Sequence, residues 1–210
     1  MAIKAVLFDL DGVLVDTETI YTDFWSEIDR LYPTGVADFA HVIKGSTLTS
    51  ILATYFPDPK VSARIVGMLR EHELNMPYRL FDGVAEMLTA LHEAGIATAI
   101  VTSSNRTKMK HLFGVQPILN QLIATLITDE DVTASKPDPQ GYMLAASRLG
   151  FAPEECVVVE DSYAGLEAGR RAGGAVIGIA TTNPRAEVEK QCNIALNSAA
   201  EITVEVLKGL

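Results

Sequence analysis

Residues 5–13 read Ala5-Val6-Leu7-Phe8-Asp9-Leu10-Asp11-Gly12-Val13, four apolar residues that run straight into two carboxylates and a glycine. A short apolar run that ends in a turn is the pattern of a strand buried on both faces, as in a parallel sheet. Further runs of this kind occur at Ile96 to Val101, more weakly at Leu122 to Ile127, at Cys156 to Val159 and at Val176 to Ile179. Helical patterns lie between most of them. One spans Val84 to Ala94, with Asp82 as its expected cap and Gly95 past its end. A second is started by Pro139 and ends near Gly150, and a third follows Asp161 and carries Ala164, Leu166, Ala168 and Ala172 toward Gly173. Strand followed by helix, repeated, implies an α/β fold with a doubly wound parallel sheet of Rossmann-like type.

The stretch from Thr17 to about Arg79 breaks the alternation. It offers amphipathic helical spacing without a buried strand: Tyr21, Phe24, Trp25, Ile28 and Leu31, then Leu48, Ile51, Leu52 and Tyr55, then Val61, Ile65, Met68 and Leu69. The expected division is therefore a core of residues 1–15 and 81–210 with a helical cap domain, residues 16–80, inserted after the first strand.

Composition limits the partners. The chain has 210 residues, 48% hydrophobic and 21% charged, enough to bury a core without covalent staples. A formal net charge of −10 argues against a protein whose affinity comes from neutralising nucleic-acid or lipid phosphates. Cys156 and Cys192 stand in no metal-ligand spacing, and no apolar run approaches the roughly 20 residues of a membrane span. The expectation is a cytoplasmic protein with neither nucleic acid nor membrane as partner and no obligate protein partner.

In a doubly wound sheet, ligands bind beyond the carboxyl ends of the strands. Four such ends carry chemically useful groups. The first delivers Asp9 and Asp11. The second ends in Thr102-Ser103-Ser104-Asn105, hydroxyls and backbone donors at a helix start that suit a phosphate oxygen and equally suit a helix cap. Lys136 stands in Ser135-Lys136-Pro137-Asp138-Pro139, a loop stiffened by its prolines. The fourth delivers Glu160 and Asp161, a pair whose burial is costly unless a cation or hydrogen-bond donors compensate. Together they predict a hard cation held by oxygen ligands, best suited to Mg²⁺, beside an anion held by a lysine and hydroxyls.

These residues resemble the haloacid dehalogenase superfamily, in its phosphatase and phosphomutase branch with a small helical cap. Asp9-Leu10-Asp11-Gly12-Val13 resembles the family's first motif, Thr102 its second, Lys136 its third and Glu160-Asp161 its fourth. The resemblance implies a phosphatase acting on a small phosphorylated metabolite. Asp9 is then the nucleophile that becomes phosphorylated, and Asp11 the general acid and base. Lys136, Thr102 and Ser103 bind the phosphoryl oxygens. The implied metal site consists of Asp9, Asp11 through its backbone carbonyl, Glu160 either through water or as an orienting group, and Asp161.

The alternative implied by the same family is a phosphomutase of the beta-phosphoglucomutase type. Against that pattern, Leu48 stands where the mutase has an arginine for its substrate's second phosphate, and Tyr21 stands where it has a histidine that holds back the acid and base residue. Both departures predict hydrolysis rather than isomerisation, with Asp11 unrestrained. The turn Ile43-Lys44-Gly45-Ser46-Thr47 reads equally as a specificity loop or a helix cap. His41, His72, His92 and His111 fall outside all four motifs.

Overall fold

The protein is described over residues 3–210 in a computed structural model. Six strands, β1 (Ala5–Phe8), β2 (Ala97–Val101), β3 (Thr125–Ile127), β4 (Cys156–Glu160), β5 (Ala175–Ile179) and β6 (Ile194–Leu196), form one sheet in the order β3-β2-β1-β4-β5-β6. Every pairing is parallel. The first three strands step outward one way and the next three the other, so the switch point lies between β1 and β4, where such sheets bind ligands.

Alternation along β1 explains the two layers around the sheet. Val6 and Phe8 face a cluster that includes Leu88 of α5 (Val84–Glu93), Met109 of α6 (Arg106–Val115), Leu119 of α7 (Pro117–Leu122) and Leu207 of α11 (Val204–Lys208). Ala5 and Leu7 face the opposite cluster, with Tyr142 and Ala145 of α8 (Gln140–Leu149), Leu166 of α9 (Tyr163–Ala172) and Val188 of α10 (Arg185–Val188).

Residues between β1 and α5 build four helices, α1 (Glu18–Leu31), α2 (Phe39–Val42), α3 (Leu48–Tyr55) and α4 (Pro59–Leu74). Their apolar faces meet in a third cluster around Trp25, Ile28, Phe39, Ile51, Phe56 and Ile65. Phe39 makes edge-on contacts with Trp25, Tyr55 and Phe56. The two chain crossings that join these helices to the rest run side by side, tied by Asp16 N donating to Arg79 O (2.8 Å) and Phe81 N to Leu14 O (3.1 Å). Tyr78, at the second crossing, is fully buried and sits in the left-handed backbone region at φ 39°.

Element edges differ from the sequence expectation in three places. Pro117 opens a helix that consumes Leu122, so β3 starts only at Thr125. Gly83, in the left-handed region, precedes α5, and Asp82 does not cap it. The edge strand β6 is too short to announce itself by periodicity. Among the described residues, no helix is long and apolar enough to cross a membrane.

Candidate active site

The strand register assembles the site. Phe8 pairs with Ile100 on one side and Val159 on the other, so Asp9, Val101 and Glu160 leave the sheet at one level. Asp9 is fixed there by its amide, which donates to Val159 O (2.9 Å). Lys136 reaches across from the loop before α8 and donates to Asp9 Oδ1 (2.5 Å), Glu160 Oε1 (2.6 Å) and Val101 O (3.2 Å).

Glu160 is completely buried. Its Oε1 accepts from Lys136 and Tyr142 (2.9 Å), and its Oε2 from the amides of Asp161 and Ser162 and from Ser162 Oγ (3.0 to 3.1 Å). A side chain at Gly165 would collide with this carboxylate, so glycine there makes room for it. Asp161 receives hydrogen bonds from Thr182 Oγ1 and, on its carbonyl, from Asn183 Nδ2 (2.8 Å). Gly12 runs against Asp161 at φ 83°, a backbone conformation and a proximity that exclude a Cβ.

Asp9, Glu160 and Asp161 each bring a carboxylate oxygen within 4.8 Å of the others. Burial pushes the Asp9 carboxyl up to about 8 against the opposing pull of Lys136, with the Glu160 charge adding to the rise. Burial also raises Asp161, and the charges of Glu160, Glu18 and Asp9 push the same way. For Lys136, burial opposes the charge but is outweighed by Asp9 and Glu160, which hold it protonated. Of three clustered buried carboxylates, Lys136 pairs with Asp9 and Glu160 and leaves Asp161 without a cation, and the deficit of positive charge fits a divalent cation with oxygen ligands. Since both oxygens of Glu160 already accept hydrogen bonds, Asp9 and Asp161 are the carboxylates free to hold it.

Asp11 stands in a different environment two residues away. Its Oδ1 accepts from Thr17 Oγ1 (2.5 Å), and its Oδ2 from Lys108 Nζ (2.6 Å) and Ser104 Oγ (3.2 Å). Lys108 is buried, with its ammonium 4.6 Å from the centre of the Tyr21 ring. The sequence expectation that Asp11 is unrestrained is thus corrected: a lysine on the core helix α6 does the holding, together with Thr17.

On the second strand end, Thr102 Oγ1 accepts from Ser104 N (3.1 Å), and Asn105 caps α6 through Lys108 N (2.9 Å). Ser103 Oγ donates to Gly45 O (2.9 Å) and so ties the turn between α2 and α3 to the core. In that turn Thr47 caps α3, while Lys44, Gly45 and Ser46 line the cleft above Asp9. Trp25 and Tyr21 also line the cleft, whereas Phe24 and Ile28 pack into the helical cluster. Arg79 is exposed and outside it.

Sequence reasoning brought Asp9, Asp11, Thr102, Ser103, Lys136, Glu160 and Asp161 to one place, and the structure gathers them there. It missed Lys108, Thr17 and Thr181-Thr182-Asn183. The last three follow β5, a strand end like the other four, and Thr181 Oγ1 donates to Gly12 O (2.6 Å). Lys108 gave no signal beyond lying three residues after the cap Asn105.

A family model for haloacid dehalogenase-like hydrolases matches residues 3–173. Hexitol phosphatase A of Escherichia coli is 32% identical, over 97% of this chain and 95% of its own length. A beta-phosphoglucomutase of Mycobacterium bovis is 29% identical over 83% of this chain and 80% of its own. In fold, the chain is similar to the crystal structure of a hydrolase from Pseudomonas syringae, with a TM-score of 0.84 and 20% identity over 99% of both chains.

Proposed function

The chain belongs to the haloacid dehalogenase-like hydrolases, and from that premise we propose that it is a Mg²⁺-dependent phosphatase of small phosphate monoesters, sugar phosphates or similar metabolites. The observation that carries this reading is the separation of two neighbouring aspartates. Asp9 lies against Lys136 within reach of Asp161, while Asp11 is held apart by Thr17, Ser104 and Lys108. Carboxyl groups in unlike surroundings take unlike roles.

Asp9 attacks phosphorus, the bond to the leaving oxygen breaks, and Asp11 gives that oxygen its proton. Water then attacks the aspartyl-phosphate, Asp11 takes a proton from it, and inorganic phosphate leaves Asp9 free. Lys136 binds phosphoryl oxygens and offsets the charge of Asp9, with Thr102 and the Ser103 amide as further donors. Glu160 keeps Lys136 aimed at Asp9. Asp9, Asp161 and the Asp11 carbonyl would hold Mg²⁺, which supplies positive charge against the transferring group. Residues 16–80 act as a cap that opens for exchange and closes over the ester, with hinges at residues 13–16 and 79–83.

The mutase reading stays second because the mycobacterial relative carries that name. Leu48 lines the cleft where that reading wants an arginine, and an apolar side chain cannot hold a phosphate. The test is incubation with Mg²⁺ and beta-glucose 1-phosphate plus a catalytic amount of the 1,6-bisphosphate, with an aryl phosphate in parallel. Phosphate release in both is expected. Dominant glucose 6-phosphate formation would move the chain to the mutase reading.

A further inference from the structure

β5 itself brings no charged group to the site, yet the three residues that follow it closely donate hydrogen bonds into the two turns that carry the proposed cation ligands. Thr181 Oγ1 donates to Gly12 O (2.6 Å) in the turn after β1. Thr182 Oγ1 donates to Asp161 Oδ2, and Asn183 Nδ2 to Asp161 O (2.8 Å), in the turn after β4. Asn183 is buried. The segment has a fixed base, because Ala180 N donates to Leu196 O (2.9 Å) immediately before it and Pro184 leads into α10 immediately after.

These bonds decide which atoms remain for a cation. Asp161 Oδ2 is taken by Thr182 and lies so close to Gly12 that a Cβ there would collide with it, which leaves Oδ1. Gly12 N donates to Val15 O (2.9 Å), so the Asp11 carbonyl of the same trans peptide points the opposite way, and Thr181 holds the peptide that follows. One short loop thus ties a carboxylate on one strand end to a carbonyl on another.

We propose that Thr181, Thr182 and Asn183 are positioning residues that set the spacing of the Asp161 carboxylate and the Asp11 carbonyl for a small divalent cation. The inference rests on the cation site proposed above. Removing a group that holds a metal ligand in place commonly weakens affinity by about ten- to a hundredfold. Mg²⁺ demands near-ideal geometry at short distances, whereas Ca²⁺ accepts longer and looser arrangements. Loosening this loop therefore costs Mg²⁺ more than Ca²⁺.

The test is isothermal titration calorimetry of MgCl₂ and, separately, CaCl₂ into the full chain after chelator treatment and dialysis, with circular dichroism to verify folding. Thr182→Val keeps the side-chain shape and drops the hydroxyl, Asn183→Ala removes the second tie, and Thr182→Ser restores the donor. Mg²⁺ affinity should fall by about tenfold or more in Thr182→Val and in Asn183→Ala, with Ca²⁺ affinity changed several-fold less. Thr182→Ser should bind Mg²⁺ nearly as the wild type does. If Asn183→Ala does not fold, Thr182→Val against Thr182→Ser decides alone. Wild-type Mg²⁺ affinity in Thr182→Val overturns the inference by itself, as does equal weakening of both cations. No Mg²⁺ binding by the wild type overturns the cation site and this inference with it.

Discussion

Lys108 Nζ lies 2.6 Å from Asp11 Oδ2 and 2.8 Å from Ser104 Oγ, so a side chain on α6 fixes the carboxyl proposed as acid and base. Lys108→Met removes that support without touching Asp9 or Lys136. Turnover of an aryl phosphate should fall by about ten- to a hundredfold, as misplacement of a reacting group does, with KM little changed. Lys108→Arg should recover part of the loss. Steady-state kinetics of the two variants decide it, and equal turnover in the methionine variant would remove Lys108 from any positioning role.

Asp9→Asn should keep the fold, because a neutral amide suits a site where burial already raises the carboxyl to about 8. Its activity should drop by several orders of magnitude, as loss of a covalent nucleophile does. Circular dichroism and phosphate release measure the two halves. Substantial turnover, after checking for deamidation back to aspartate, would sink the aspartyl-phosphate mechanism.

Mg²⁺ should stabilise the protein by relieving the repulsion between Asp9 and Asp161. At a hundredfold excess over Kd the gain is about 2.7 kcal/mol, which for a chain of this size raises Tm by roughly 5–10 °C. Chelator should reverse the rise, and Asp161→Asn should abolish most of it. A melting curve indifferent to Mg²⁺ in the wild type would argue against the cation site.

Asp131 gives a pH signature away from the site. Burial works against its charge but is outweighed by hydrogen bonds from Arg148 and Thr128, and the carboxyl is held well below its ordinary range. A depressed folded-state value stabilises the native state above the unfolded value and loses that stabilisation as pH falls. Asp131→Asn should therefore cost about 1 kcal/mol near neutral pH, a figure kept low because Arg106 and Arg148 are solvent-exposed. The difference should begin to shrink below about pH 4, the ordinary unfolded value, and should vanish only as the pH falls through the much lower folded value. Urea titrations at pH 7 and pH 3 compare the two directly, with a smaller difference expected at the lower pH.

What the sequence disclosed and what it withheld divide along a physical line. The strands β1 and β4 are legible because burial on both faces writes them as unbroken apolar runs, and the carboxylates that end them mark the site. β6 escapes because an edge strand of three residues has no such run. Tyr21 at the expected histidine position pointed to a freed Asp11, since alignment compares like positions and cannot see Lys108 arriving from a helix nearly 90 residues further on. The fivefold hydrogen bonding of Glu160 is likewise invisible in Glu160-Asp161, because its donors come from the neighbouring turn, Lys136 and Tyr142.

The chain's single tryptophan, Trp25, belongs to the helices of residues 18–74 and borders the cleft. Its indole is nearly enclosed, edge-on to Phe24 and Phe39. The protein therefore carries a built-in optical reporter confined to one of its hydrophobic clusters. If residues 16–80 move as the proposed cap, emission should report that movement and the arrival of an ester without a label, since the sheet holds no tryptophan. Stopped-flow fluorescence can thus test for the proposed cap movement and time it against phosphate release in one unmodified sample.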